Sequence, residues 1–196
     1  MTRIILAAAA GFLLASPLSA QPAHVILIRH GEKPTDESDH GLSLPGKCRA
    51  AALVPYLLEK PEVKQLGRPA YIFAQLPPNS KKDSLRPVQT VQPFAAALNQ
   101  HVLTPVTRDD YPKLVNDLLT NAKYTGKTVL VCWEHKKLAD MAAALTASRT
   151  VAGAPKQWKW PGGEVFDRTW VISFTGKTTG AFHDYPQQLM YGDAKE

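Results

Sequence analysis

The chain has 196 residues, of which 44% are hydrophobic and 20% charged, with two cysteines and a formal net charge of +6. That length suits one globular domain able to bury a core without metal or disulfide staples. The composition excludes collagen-like, heptad and disulfide-rich scaffolds, and the scattered lysines form no basic stripe interleaved with aromatics of the kind single-stranded nucleic acids need.

The N-terminus reads as an export signal rather than as fold. Arg3 supplies a positive start, Ile4 to Ala15 an apolar run, and Ser19-Ala20 a small-residue cleavage site before Gln21. The run is shorter than the ~20 residues that cross a bilayer. Residues 1–20 are therefore assigned to a signal peptide and 21–196 to a single domain, periplasmic or secreted, with no membrane attachment after cleavage. In an oxidising compartment Cys48 and Cys132 either form one bridge or serve as small buried hydrophobes.

Strands and helices alternate along the rest. Val25 to Ile28 is a continuous apolar run, the pattern of a strand covered on both faces. Ser43 is placed to cap a helix starting near Pro45 and reaching Leu58, with Pro55 expected to kink or interrupt it. Ala70 to Ala74 is a short strand, Pro87 to Leu98 a helix, and His101 to Val106 a third strand. Asp109 and Asp110 open an amphipathic helix that gathers Leu114, Val115, Leu118 and Leu119 on one face. Thr128 to Trp133 is the second deeply buried strand, followed by Leu138, Met141, Ala142 and Leu145 at helical spacing. Val151 to Asp167 reads as a long loop, and Arg168 to Phe174 as a last strand at the sheet's edge. The alternation predicts an α/β fold: a three-layer α/β/α sandwich around a mostly parallel sheet.

Ligands of such sheets bind beyond the carboxyl ends of the strands. Arg29-His30-Gly31-Glu32-Lys33-Pro34 follows the first buried strand, and Glu134-His135 the later one, so an arginine and two imidazoles share a rim if those strands are neighbours. Arg86 adds a second guanidinium. This set suits a phosphate, since planar guanidinium forks bind its oxygens and a neutral imidazole can attack phosphorus.

These segments resemble the histidine phosphatase superfamily, with its phosphoglycerate mutase-like fold. The resemblance rests on Arg29-His30-Gly31, on Leu42-Ser43-Leu44-Pro45-Gly46 followed by Arg49-Ala50, on Arg86-Pro87-Val88-Gln89-Thr90, and on His135 in the place of the second histidine. It covers about residues 24 to 135 and points to the smaller branch, without a large lid domain. It implies that His30 is the nucleophile, forming a phosphohistidine. It also implies that Arg29, Arg86 and His135 bind the phosphoryl oxygens. No metal or other cofactor is implied.

Lys33 reads either as a neutraliser of substrate phosphate or as a solvated loop residue. The general acid has three candidates. Asp109 and Asp110 occupy the segment where the smaller branch carries its carboxylate; Glu134 stands beside His135, whereas Lys136, the position another branch uses, cannot serve. Three functions follow. The first is an exported phosphomonoesterase acting on a small phosphorylated substrate; the others are a mutase-type phosphotransferase and a non-catalytic phosphate- or phosphoprotein-binding module. The oligomeric state has no reading in the sequence.

Overall fold

A computed structural model describes residues 20–36, 38–77 and 84–193. The expected signal sequence up to Ser19 lies outside the described residues. Among those described, no helix is long and apolar enough to cross a membrane.

The elements run β1 (His24–Arg29), α1 (Leu44–Glu59), α2 (Pro61–Lys64), β2 (Tyr71–Ala74), α3 (Arg86–Ala97), β3 (Val102–Leu103), α4 (Tyr111–Thr120), β4 (Thr128–Trp133), α5 (His135–Thr146), β5 (Thr150–Ala152), β6 (Arg168–Phe174) and β7 (Thr179–Pro186). The strands form one mixed sheet in the order β3-β2-β4-β1-β6-β7-β5. β3, β2, β4 and β1 are mutually parallel, β6 runs antiparallel to both β1 and β7, and β5 is parallel to β7. The two deeply buried strands are thus neighbours: His24 to Arg29 pair in register with Thr128 to Trp133.

Each apolar strand supplies two cores because successive side chains point to opposite faces. Val25, Leu27, Val129, Val131 and Trp133 pack with Leu114 and Leu118 of α4 and Leu138 and Met141 of α5. Ile26, Ile28, Leu130 and Cys132 pack with Leu53 and Leu57 of α1 and Val91 and Phe94 of α3. The result is helices on both faces of the sheet, an α/β/α sandwich.

Several expectations are corrected. Pro55 does not break α1, which runs unbroken to Glu59. The proline removes the N–H that would meet the carbonyl of Ala51, but Ala51 and Pro55 both lie on the exposed face, where water can take that carbonyl. The strand expected over His101 to Val106 shrinks to Val102–Leu103. The segment read as a long loop begins with β5, and β6 has neighbours on both sides rather than forming an edge. The cysteines form no bridge: Cys48 is exposed on α1 and Cys132 is wholly buried beneath it in the sheet.

Candidate active site

The site is built where β1 and β4 end side by side. His30 extends the pairing by one residue, its amide donating to the Trp133 carbonyl at 3.2 Å. His30 is 6% exposed and Arg29 3%. The His30 Nδ1 lies 2.7 Å from the Gly31 carbonyl. A carbonyl can only accept, so Nδ1 carries the proton and Nε2 keeps its lone pair. Burial, with smaller contributions from the charges of Arg29, Arg86 and His135, lowers the His30 pKa to about 3; the Gly31 hydrogen bond opposes this. His30 is therefore a neutral imidazole throughout the physiological range, with one nitrogen oriented and the other available.

Arg29 is held from the opposite side. Its Nη1 donates to the Val165 carbonyl at 2.9 Å, and its guanidinium lies over the Phe166 ring, 3.8 Å from the centroid, a cation–π contact. The same ring is tilted against His30 at 6.2 Å. Burial brings the Arg29 pKa down to about 10, with the nearby Glu164, Glu134 and Glu32 opposing; it remains cationic at neutral pH.

Arg86 opens α3 and His135 opens α5. Arg86 Nη1 donates to the Asp39 carbonyl at 3.3 Å. His135 Nδ1 stands 2.8 Å from Glu134 Oε1 but off the line of a hydrogen bond. Burial, then the charge of Arg29, lowers the His135 pKa. Three buried nitrogens, Arg29 Nε, Arg86 Nε and His135 Nδ1, have no hydrogen-bond partner. Donors buried without acceptors are costly unless an anion meets them, and a tetrahedral oxyanion offers several oxygens at once.

A cavity of about 460 Å³ opens over Arg86, bounded by Glu32, Lys33, Glu164 and Phe166. Lys33 is half exposed and stands 3.7 Å from Glu164, so it faces the cavity rather than bulk solvent alone.

The expected proton donors are placed differently. Asp109 has both oxygens engaged by cations, Oδ2 with Arg108 at 2.9 Å and Oδ1 with Lys137 at 3.4 Å. Asp110 accepts from Thr107 at 2.6 Å and pairs with Lys113 at 2.7 Å. Hydrogen bonds to Arg108, and to Lys113 and Thr107, hold these two carboxyls below the usual range. Neither lines the cavity over Arg86, and Arg29, His30, Glu134 and His135 do not line it either. Glu134 does lie at the site: one oxygen accepts the Lys137 amide as the cap of α5 at 3.2 Å and the other faces His135.

Other residues at the site had no role in the sequence reading. Thr90 accepts the Gly31 amide at 2.9 Å while its hydroxyl donates to the Arg86 carbonyl at 2.7 Å, so it ties the loop after β1 to the start of α3. Its place in the Arg86–Thr90 segment was the available signal. Glu32 is held by the buried Arg49, at 2.9 Å from Nε and 2.7 Å from Nη2. Arg49 in turn binds Asp193 near the C-terminus through Nη1 at 2.9 Å. Val165 and Glu164 approach Arg29 from a loop more than a hundred positions away, which leaves no local sequence signal. Trp158 and Trp160 pack on Trp170 at 5.7 and 4.8 Å, whereas Phe166 walls the site.

No protein-family model matches the chain, and no curated protein matches it in sequence. Solved structures do share its architecture. The protein histidine phosphatase SixA complexed with tungstate is 18% identical with a TM-score of 0.53, the match covering 84% of this chain and 97% of that one. A mycobacterial glucosyl-3-phosphoglycerate phosphatase with inorganic phosphate is 14% identical with a TM-score of 0.54, over 83% of this chain and 95% of that one. At such identities the likeness is one of fold, and the chain has the phosphoglycerate mutase-like fold of these histidine phosphatases.

Proposed function

We propose that this chain is an exported phosphomonoesterase that works through a phosphohistidine at His30 on a small phosphorylated substrate. One observation carries the reading. A neutral, Nδ1-anchored imidazole sits on the same rim as Arg29, Arg86 and His135, each of which keeps one buried nitrogen without a hydrogen-bond partner. Phosphoryl transfer asks little of a protein beyond positioning and charge stabilisation, and this arrangement supplies both.

In the first step Nε2 of His30 bonds to phosphorus as the phosphorus–oxygen bond to the leaving group breaks. Arg29 and Arg86 balance the charge on the equatorial oxygens, and His135 donates to one of them. Gly31 steadies the positive imidazole of the intermediate, because its carbonyl already holds the Nδ1 proton. Water then attacks phosphorus, the Nε2–P bond breaks, and inorganic phosphate leaves. Lys33 at the mouth draws in anions. The likeness to phosphatases that act on phosphohistidine and on glucosyl-3-phosphoglycerate supports the reaction type and places both substrates on the panel to be tried. Export rests on the Arg3 to Ala20 pattern, and N-terminal sequencing of the protein recovered from a secreting host should begin at Gln21.

The test is phosphate release by the 21–196 chain over a panel of phosphomonoesters, with and without a chelator. Expected are turnover unaffected by the chelator, an acid-labile phosphoryl label on the protein, and loss of both in His30→Ala. Phosphate binding without any label would favour the binding module. Interconversion of phosphoglycerates in place of release would favour the mutase.

A further inference from the structure

A phosphohistidine site needs a proton for the leaving oxygen, and general acid catalysis of this kind is worth about 10²–10⁴ in rate. Three carboxylates lie close enough to Arg29 to support its charge: Glu164 first, then Glu134 and Glu32. Two of them are committed elsewhere. Glu134 spends one oxygen capping α5 and turns the other toward His135. Glu32 has Oε1 fixed by two N–H groups of Arg49, a guanidinium 2% exposed, and its other oxygen is buried. An acid locked onto a permanent cation neither gives nor takes a proton readily.

Glu164 is held less tightly than either. Its polar contact among the described residues is the 3.7 Å pair with Lys33, and its side chain is 79% exposed, free to turn into the cavity it lines with Arg86. Its backbone is nevertheless fixed against the phosphate-binding residues. The next carbonyl, Val165, accepts both Arg29 Nη1 at 2.9 Å and the Trp160 indole N–H at 2.8 Å, and Phe166 lies under the Arg29 guanidinium. Gly162 and Gly163 precede it, the second with open space where a side chain would stand. The arrangement is an exposed carboxylate on an anchored stem at the mouth of the site.

We propose that Glu164 is the proton donor to the leaving oxygen and, in the second step, the base for the attacking water; this rests on the phosphatase reading above. As the Nε2–P bond forms and the P–O bond breaks, the Glu164 carboxyl proton passes to the departing oxygen. The carboxylate then takes a proton from water as the water oxygen bonds to phosphorus and the Nε2–P bond breaks. Inorganic phosphate leaves, and His30 and Glu164 return to their starting forms. Lys33 is the switch: an arriving phosphate competes for its ammonium and releases Glu164 for this work.

The test compares kcat/KM of the mature wild type and Glu164→Gln on two esters. One is an unactivated alkyl phosphate, whose alkoxide must be protonated; the other is p-nitrophenyl phosphate, whose phenolate leaves without a proton. The proposal expects a loss of about 10²-fold or more on the alkyl ester and little change on the aryl ester. Equal losses on both, no loss on either, or a selective alkyl-ester loss in Asp109→Asn instead, would overturn it. A wild type that turns over neither ester and takes no label on His30 removes the phosphatase reading itself, and this proposal with it.

Discussion

His30 is the residue on which the site turns, and its burial has a consequence for acid stability. A buried imidazole with a pKa near 3 in the folded state titrates nearer 6.5 once exposed. The unfolded chain therefore binds the extra proton more readily, and the fold weakens as the pH falls from about 6.5 toward 3. Each pH unit in that window costs up to about 1.4 kcal/mol through this one group. Urea denaturation at pH 7 and pH 4 should show a smaller acid-induced loss in His30→Gln than in the wild type; equal losses would mean that His30 is not held neutral. On the proposed phosphatase reading, the phosphoryl label on His30 should for the same reason still form at pH 4.5, because the imidazole is not protonated there. Arg29 and His135 were legible as residues, since each follows an apolar strand. The commitments of Asp109 and Asp110 to Lys137, Arg108 and Lys113 were not, because an exposed acid and its partner carry no mark of who meets whom.

At the scale of elements, the start of α1 presses on the loop after β1. Ser43 caps the helix, accepting the Gly46 amide at 3.2 Å, as its position before Pro45 suggested. A Cβ on Gly46 would lie 2.5 Å from the Glu32 carbonyl oxygen, and one on Gly31 would lie 3.0 Å from the Gly46 carbonyl oxygen. Two backbones touch here, so both positions need glycine. Gly46→Ala should cost about 1–3 kcal/mol in stability by overpacking. It should also lower phosphatase turnover more than a matched surface change such as Lys47→Ala, because the displaced loop carries the carbonyl that orients His30. A fully active Gly46→Ala would show that the loop adapts freely. The strands that escaped the sequence reading, β5 and β7, lack an apolar signature. β5 has three residues, and β7 mixes Gly180, His183 and Asp184 with its buried Phe182.

Over the whole molecule, the C-terminal segment closes the structure onto the site. Asp193 reaches Arg49, and Arg49 holds Glu32, two residues from His30. The Asp193 carboxylate also takes the amides of Leu189 and Met190 at 2.8 and 2.9 Å. The Gln187 amide meets the Asp167 carbonyl at 2.6 Å, and the chain before the tail thereby joins the loop of Phe166. Breaking one side of a buried ion pair leaves an unmatched charge and costs about 3–5 kcal/mol. Asp193→Ala should lose stability on that scale by urea titration, while Asp184→Ala, on the less buried pair with Arg168, should lose less. Similar losses for the two would show that burial does not strengthen the Arg49 cluster.

The amino-acid order alone determined most of the strand and helix alternation, the two deeply apolar strands, and the placement of Arg29, His30, Arg86 and His135 at strand ends and helix starts. Those are local properties: hydrophobic period, capping and proline position act over a few residues. Only the tertiary structure decided that those two strands are neighbours, which carboxylates are spent on lysines and arginines, that Phe166 and Val165 grip Arg29, and that Asp193 returns to Arg49. Such pairings join positions far apart in sequence, and they are selected by the shared burial of surfaces that no short window of residues contains.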